Sequence, residues 1–213
     1  MGAQRNLRPL ARQQRLMAGV LRGLIGKICL AYLDDVILYS KNHADHTADL
    51  SAVLERIRDA KLKLQPSKCS LFREQVLYFG HVYSPAGVSP DPAKLQVLFD
   101  WPAPTTVREI QSFLGFVNFY ADFIDRSTEL TSHLYDLTTG KKGEESIQMS
   151  AENLTAFEEI KRRRCAGQRL AHPEFEWPFT LYTDALKIAV GAVLLQRDAD
   201  GIERAVFFFS KKL

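Results

Sequence analysis

The spacing of apolar positions along this chain changes period several times, and each change marks an element. Leu16, Val20, Leu21 and Leu24 recur at helical spacing and predict a helix over 16–24, closed by Gly26. The pattern then becomes two short apolar runs, 28–33 and 36–39, which read as the strands of a tight hairpin. Leu50, Val53, Leu54 and Ile57 return to the helical period and predict a helix over 43–64. Its acids come early (Asp45, Asp49) and its lysines late (Lys61, Lys63), the order a helix dipole prefers. Residues 75–84 are strand-like, and Asp91-Pro92 opens a short helix with Asp as cap and Pro at its first position. Thr106-x-x-Glu109 is a capping box before an amphipathic helix bearing Ile110, Phe113, Leu114, Val117 and Phe123. Leu130, Leu134 and Leu137 predict another helix; Leu154, Phe157 and Ile160 predict one more, ending in the basic run 161–164. Between these two, 138–146 is rich in Gly, Lys and Glu and reads as a linker. From 178 the pattern is β: FTLYTDA, AVGAVLLQ, a turn at 198–201, then AVFFFS. The last residue, Leu213, follows directly on a strand, an odd place for a domain to end.

One stretch interrupts its own pattern. In LAYLDDVILYS the adjacent acids Asp34 and Asp35 stand between two apolar runs. Asp is common in hairpin turns, where its side chain bonds the local backbone. The other reading is a divalent-cation site. Paired carboxylates repel unless a cation or donor compensates, Mg²⁺ takes oxygen ligands, and two such ions serve nucleotidyl transfer in polymerases. A hairpin turn can aim both carboxylates at one centre, whereas neighbours within a flat strand point to opposite faces.

Composition narrows the class. With 213 residues, 46% hydrophobic and 25% charged, the chain suits one large globular domain or two small ones. No apolar run approaches the roughly 20 residues that span a bilayer. Cys29, Cys69 and Cys165 are scattered, without zinc-like spacing, and read as reduced thiols of an intracellular protein, cytoplasmic or nuclear. Asn6 stands where a myristoylation signal wants Ser or Thr. The net charge is only +3, but residues 1–33 hold five arginines, one lysine and no acid. Such a start lacks the serines of a transit peptide and fits a basic helix facing a polyanion.

Tyr32-Leu33-Asp34-Asp35 resembles the YxDD motif of reverse transcriptases, and its surroundings resemble the pol polyprotein of gypsy-type LTR retrotransposons. QRLMAGVLRGLIGK is similar to the helix leading to that motif, and AKLKLQPSKCSLF to the segment with the palm lysine, here Lys68. VLYFGHVYSPAGVSPDPAKL resembles the primer-grip turn, centred on Phe79, Gly80 and His81, and the start of the thumb. WPAPTTVREIQSFLGFVNFYADFI resembles the thumb helix that tracks the duplex minor groove. LAHPEFEWPFTLYTDA and GAVLLQ resemble the entry into the ribonuclease H domain, with Asp184 matching its first carboxylate. The resemblance runs in family order from about Gln14.

It implies an α+β fold: a partial palm over 1–85, a helical thumb over 86–137, a linker and connection over 138–177, and the first strands of a ribonuclease H-like domain over 178–213. It implies templated nucleotide addition, with Asp34 and Asp35 holding Mg²⁺ (Mn²⁺ as substitute) and Asp184 a second metal ligand. Lys68 is implied as proton donor to pyrophosphate; a solvated lysine is the alternative. Tyr32, Phe79, Gly80, His81, Arg162, Arg163 and Arg164 are implied to contact a primer–template duplex. A structural turn histidine at 81 and a solvated helix end at 162–164 are the alternatives. No acid precedes Asp34, so the third polymerase carboxylate has no upstream candidate. Leu186 stands where the family has a small polar residue, and Asp198, Asp200 and Glu203 fall in or beside a turn, poorly placed to join Asp184. Both sites are therefore expected to be incomplete and the chain inactive alone, its partners being the fingers and remaining ribonuclease H portions. A remnant that only binds nucleic acid or protein is the alternative function. Phe113, Phe116, Phe119, Tyr120 and Phe123 exceed one core stripe, so some are expected to be exposed. Strands 179–210 are expected to lack covering helices.

Overall fold

The computed structural model describes residues 7–123, 127–165, 169–186 and 189–213; for 7–10, 127, 129, 164 and 165 it describes the backbone alone. The chain divides into two units, Met1–Glu74 and Gln75–Leu213.

In the first unit, helix α1 (Leu7–Val20) starts and ends earlier than its apolar spacing predicts. Leu21 closes a last helical turn onto Met17, and then Gly23 and Gly26, both at positive φ, turn the chain through 21–27. Leu21 and Leu24 keep the helical period because they still face the core from that turn. Strands β1 (Cys29–Tyr32) and β2 (Asp35–Leu38) pair antiparallel, from Cys29↔Leu38 to Tyr32↔Asp35. Helix α2 (His43–Asp59) is capped by Asn42, whose side chain accepts from the Asp45 N–H at 2.9 Å. It stops short of the predicted 64. Lys61 takes φ +57, its N–H bonds the Arg58 carbonyl at 2.8 Å, and the Leu62 N–H bonds Ile57 at 3.0 Å. That is a Schellman turn with lysine in the usual glycine place, and Leu62 remains apolar because it folds back onto Ile57. Met17, Leu21, Cys29, Val53 and Ile57 form the core of this unit.

The second unit begins with a meander, β3 (Val76–Tyr78), β4 (His81–Ser84) and β5 (Gly87–Pro90). The single strand-like stretch 75–84 is thus a hairpin turning at Phe79 and Gly80. Asp91 caps α3 (Pro92–Phe99), accepting from the Ala93 N–H at 2.9 Å. The capping box opens α4 (Val107–Phe119); hydrogen bonds from Thr105 and then Thr106 hold the Glu109 carboxyl below its ordinary pKa. Helices α5 (Ser127–Asp136) and α6 (Ala151–Cys165) follow.

The 138–146 stretch does not run free as a linker would. The Val107 and Arg108 N–H groups, unpartnered within their own helix, donate to the carbonyls of Glu145 (3.0 Å) and Gly143 (2.8 Å). The core joins Leu98, Ile110, Phe113, Leu114, Val117, Leu134, Phe157 and Ile160. Complete burial of such side chains is worth about 1.5–3 kcal/mol each.

The expectation that some of the α4 aromatics are exposed holds for one of them. Phe113 enters that core, while Tyr120 and Phe123 enter a second cluster with Leu170, and only Phe119, at 55%, is largely exposed. The chain leaves α4 at Phe119 and makes a 3₁₀ turn, Ala121–Phe123, so one apolar run serves two cores.

Strands β6 (Phe179–Ala185), β7 (Ala189–Arg197) and β8 (Glu203–Lys212) form an antiparallel sheet. Its register puts Tyr182, Asp184, Val193, Phe208 and Ser210 on one face, and Leu181, Leu194, Phe207 and Phe209 on the other. The first face is covered in part: Phe208 packs on the Tyr120–Phe123 cluster, and Ser210 Oγ accepts from the Thr128 N–H of α5 at 3.1 Å. The expectation of uncovered strands therefore holds for one face only.

Candidate functional site

The acidic stretch of the first unit closes the β1–β2 hairpin with a two-residue loop, Leu33-Asp34, since Tyr32 and Asp35 are paired. Leu33 has φ +53, while Asp34 is not among the positive-φ residues. That sign pattern is a type II′ turn, which matches strand twist but favours glycine at its first central position. A leucine there is a backbone outlier, the kind that persists where surrounding contacts fix it. The contacts come from α1. The Leu33 N–H donates to Gln14 Oε1 at 2.5 Å, Gln14 Nε2 donates to the Ala31 carbonyl at 3.2 Å, and Gln13 Nε2 donates to Asp34 Oδ1. Asp34, Asp35 and Tyr32 are all exposed, Tyr32 at 54%. Lys68 ends a short 3₁₀ turn, Pro66–Lys68, with its side chain exposed.

Two adjacent carboxylates suit a hard cation in kind, because Mg²⁺ is commonly held by one or two carboxylates together with substrate phosphates. Among the described residues, no group of three or more His, Cys, Asp or Glu gathers to complete a site from protein alone. Asp34 and Asp35 therefore fit, in kind, one ion whose shell substrate phosphates would complete.

In the second unit, Phe79 (φ +46) and Gly80 (φ +71) form the β3–β4 turn, a type I′ pattern. Glycine is required at 80 twice over. Its φ is left-handed, and a Cβ would stand 3.0 Å from Tyr120 Oη and 3.2 Å from Phe119 Cε1. The Tyr120 hydroxyl donates to the Gly80 carbonyl at 2.9 Å, which also accepts from the Asp91 N–H at 2.9 Å. His81 Nδ1 donates to the Phe79 carbonyl at 2.8 Å, and its ring lies 5.3–5.4 Å from Phe119, Tyr120 and Phe123. The hairpin is thereby pinned to the end of α4, and Phe79 and Phe119 remain partly open to solvent.

Arg162 and Arg163 both reach Glu159 at 2.7 Å. Their hydrogen bonds hold its carboxyl down to about 2. Their charge is therefore partly matched within α6, and the Arg164 side chain lies outside the described residues.

Asp184 sits near the end of β6, opposite Gly191. Asp198 lies beyond Arg197, six residues along β7 from Gly191, about 20 Å at ~3.3 Å per residue. It is engaged there by Arg204 and by the Ile202 and Asp200 N–H groups, which lower its pKa. The turn acids do not join Asp184.

Sequence reasoning missed Gln13, Gln14 and the Tyr120 hydroxyl. The only signal was that both glutamines fall one turn before Met17, on the side of α1 that meets the hairpin.

The family described as "Reverse transcriptase (RNA-dependent DNA polymerase)" matches residues 10–83, and "RNase H-like domain found in reverse transcriptase" matches residues 149–213. The chain is 36% identical over 183 residues to the retrovirus-related Pol polyprotein from transposon 297 of Drosophila melanogaster, covering 86% of this chain and 17% of that protein. It is 35% identical over 192 residues to that from transposon gypsy of the same organism, covering 86% and 19%. It spans about a fifth of the length of these relatives. The foamy viral protease-reverse transcriptase in complex with dsDNA is similar in fold, with TM-score 0.82 at 21% identity over 99% of this chain and 43% of that one. The same enzyme in complex with RNA/DNA hybrid gives 0.76 at 20% identity, covering 92% and 26%.

Proposed function

This chain belongs, over the residues those families match, to the reverse transcriptase and RNase H-like region of gypsy-type retrotransposon Pol polyproteins, and on that premise we propose that it serves templated nucleotide addition to a primer 3′ end. The observation that carries this is the II′ turn lifting Asp34 and Asp35 out of an apolar hairpin, within the residues the reverse transcriptase family matches. The proposed division is palm over 1–85, thumb over 86–137, connection over 138–177 and opening ribonuclease H strands over 178–213.

A divalent ion, Mg²⁺ or Mn²⁺, held by Asp34 and Asp35 with phosphate oxygens would supply charge stabilisation at the reacting oxygens. The chain's own residues bind and orient. Tyr32, beside the turn, faces the primer end, and the Phe79–Gly80 turn with His81 fixes the primer strand. The rigid seat of that turn against Tyr120 keeps its backbone in one place. Lys68 donates a proton to the leaving pyrophosphate. Arg162, Arg163 and Arg164 contact phosphates without reading sequence, and Asp184 supplies one ribonuclease H ligand. No helix among the described residues is long and apolar enough to cross a membrane, and the proposed setting is intracellular, cytoplasmic or nuclear.

The test is a titration of labelled primer–template duplex with the chain at several salt concentrations. Binding through Arg and Lys releases condensed counterions, so log K should fall linearly and steeply with log salt. With a handful of phosphate contacts, micromolar affinity is expected near physiological salt. A flat response, or no binding, refutes the proposed role.

A further inference from the structure

We propose that Gln13 and Gln14 are positioning residues for the Asp34–Asp35 turn, Gln14 through the turn's backbone and Gln13 through the Asp34 carboxylate. This deepens the proposed function and rests on Asp34 and Asp35 facing a divalent cation.

The register of α1 explains why two neighbouring glutamines serve one turn. Met17 and Leu21 are buried against Cys29 and Ile57, which fixes the rotation of the helix about its axis. Residues three and four positions before Met17 lie on the same face, one turn further along. Gln13 and Gln14 therefore meet the end of the hairpin where the chain reverses.

Gln14 acts on conformation. Its carboxamide uses both ends, Oε1 accepting from the Leu33 N–H at 2.5 Å and Nε2 donating to the Ala31 carbonyl at 3.2 Å. It lies beside the turn as a short piece of strand would, and it holds the one residue of the hairpin whose φ, +53, disfavours its side chain. Without these bonds the loop is free to relax toward ordinary backbone and re-aim the carboxylates.

Gln13 acts on the ligand itself. By donating Nε2 to Asp34 Oδ1 it restrains the rotation of that carboxylate and occupies one of its two oxygens. A neutral donor also eases the repulsion between Asp34 and Asp35 without bringing a charge that would repel a cation. Hydrogen-bond partners of metal-ligating carboxylates commonly matter about 10- to 100-fold in metal affinity.

The experiment uses the full chain and two readouts: Mn²⁺ binding, followed by the electron paramagnetic resonance of free Mn²⁺, and hydrogen exchange at the Leu33 amide. Gln13→Ala and Gln14→Met are the variants; methionine keeps the volume of a half-buried side chain, so folding is not at stake, and Asp34→Ala is the control. Each variant is expected to weaken Asp34-dependent Mn²⁺ binding by about tenfold. Gln14→Met should also speed Leu33 exchange by about tenfold, while Gln13→Ala leaves it unchanged. Wild-type binding that neither variant alters overturns this inference and spares the metal assignment. Tighter binding in Gln13→Ala makes Gln13 a competitor of the cation and overturns it as well. Absence of Asp34-dependent binding in the wild type overturns the metal assignment and this inference together.

Discussion

Replacing Tyr120 by phenylalanine removes one oxygen atom from the interior of the second unit, and its cost follows from what that oxygen touches. Tyr120 is 1% exposed, and its hydroxyl donates to the Gly80 carbonyl at 2.9 Å. The carbonyl keeps its second partner, the Asp91 N–H at 2.9 Å. No buried group is left wholly unsatisfied, so the loss should be that of an ordinary internal hydrogen bond, about 1 kcal/mol. Truncation to alanine removes the ring from contact with His81, Phe116 and Phe123 and should cost about 3–5 kcal/mol. Urea unfolding followed by tryptophan fluorescence is the assay, since both tryptophans, Trp101 and Trp177, belong to the second unit. At an m-value of about 2 kcal/mol/M, Tyr120→Phe should lower the midpoint by about 0.5 M. Gly80→Ala supplies the cross-check. Its new Cβ would crowd the Tyr120 oxygen at 3.0 Å, so the alanine should cost less in the Tyr120→Phe background than in the wild type. A Tyr120→Phe midpoint equal to wild type, or as low as that of Tyr120→Ala, would refute the assignment of the hydroxyl as a pin between hairpin and helix.

The chain alone is expected not to extend a primer with Mg²⁺ or Mn²⁺, because two carboxylates do not complete a two-ion site; extension that Asp34→Ala abolishes would overturn this. Glu159 should titrate near 2 rather than 4.5 by carboxyl NMR, because the Arg162 and Arg163 hydrogen bonds favour its charged form. Its folded pKa is depressed, so whatever the cluster adds is complete above 4.5 and is lost as pH falls through about 2. A titration near 4.5 would show that the pairs do not persist in solution. Hydrogen exchange across the last sheet should be graded, with β8 amides near Phe208 protected and the exposed edge strand β6 least protected; uniform exchange across all three strands contradicts the one-sided covering.

Where function and pattern coincided, sequence was enough. Two like charges inside apolar strands needed a turn, and the chain makes one between Tyr32 and Asp35. The capping box and the Asp91-Pro92 start were equally legible, because a cap is a contract between residues two or three apart and requires no tertiary partner. Helix ends were not. Leu21, Leu24 and Leu62 keep a helical period although the helices have stopped, because a turn that folds back onto the same core needs apolar residues too. Periodicity reports which side chains are buried, not which backbone bonds carry them there. The same limit hid the division of the α4 aromatics between two cores, which depends on the chain leaving its helix at Phe119.

The glutamines were hidden for a different reason. A carboxamide has no sequence signature of its own: Gln13 and Gln14 acquire meaning only when Met17 fixes the rotation of α1 and the hairpin brings Ala31, Leu33 and Asp34 within reach. The basic run 161–164 is the converse case. Its composition pointed to phosphate, yet Glu159, one turn earlier on the same helix, already takes two of its guanidinium groups. A nucleic-acid phosphate must compete with a carboxylate held at 2.7 Å, so α6 should contribute less to the salt slope than its count of arginines suggests. On α1 and the turn that follows it, Arg12, Arg15, Arg22 and Lys27 are exposed in a stretch without a single acid. Removing residues 1–15 should therefore flatten the salt dependence of duplex binding more than removing β6–β8, and the opposite order would move the electrostatic footprint to the second unit.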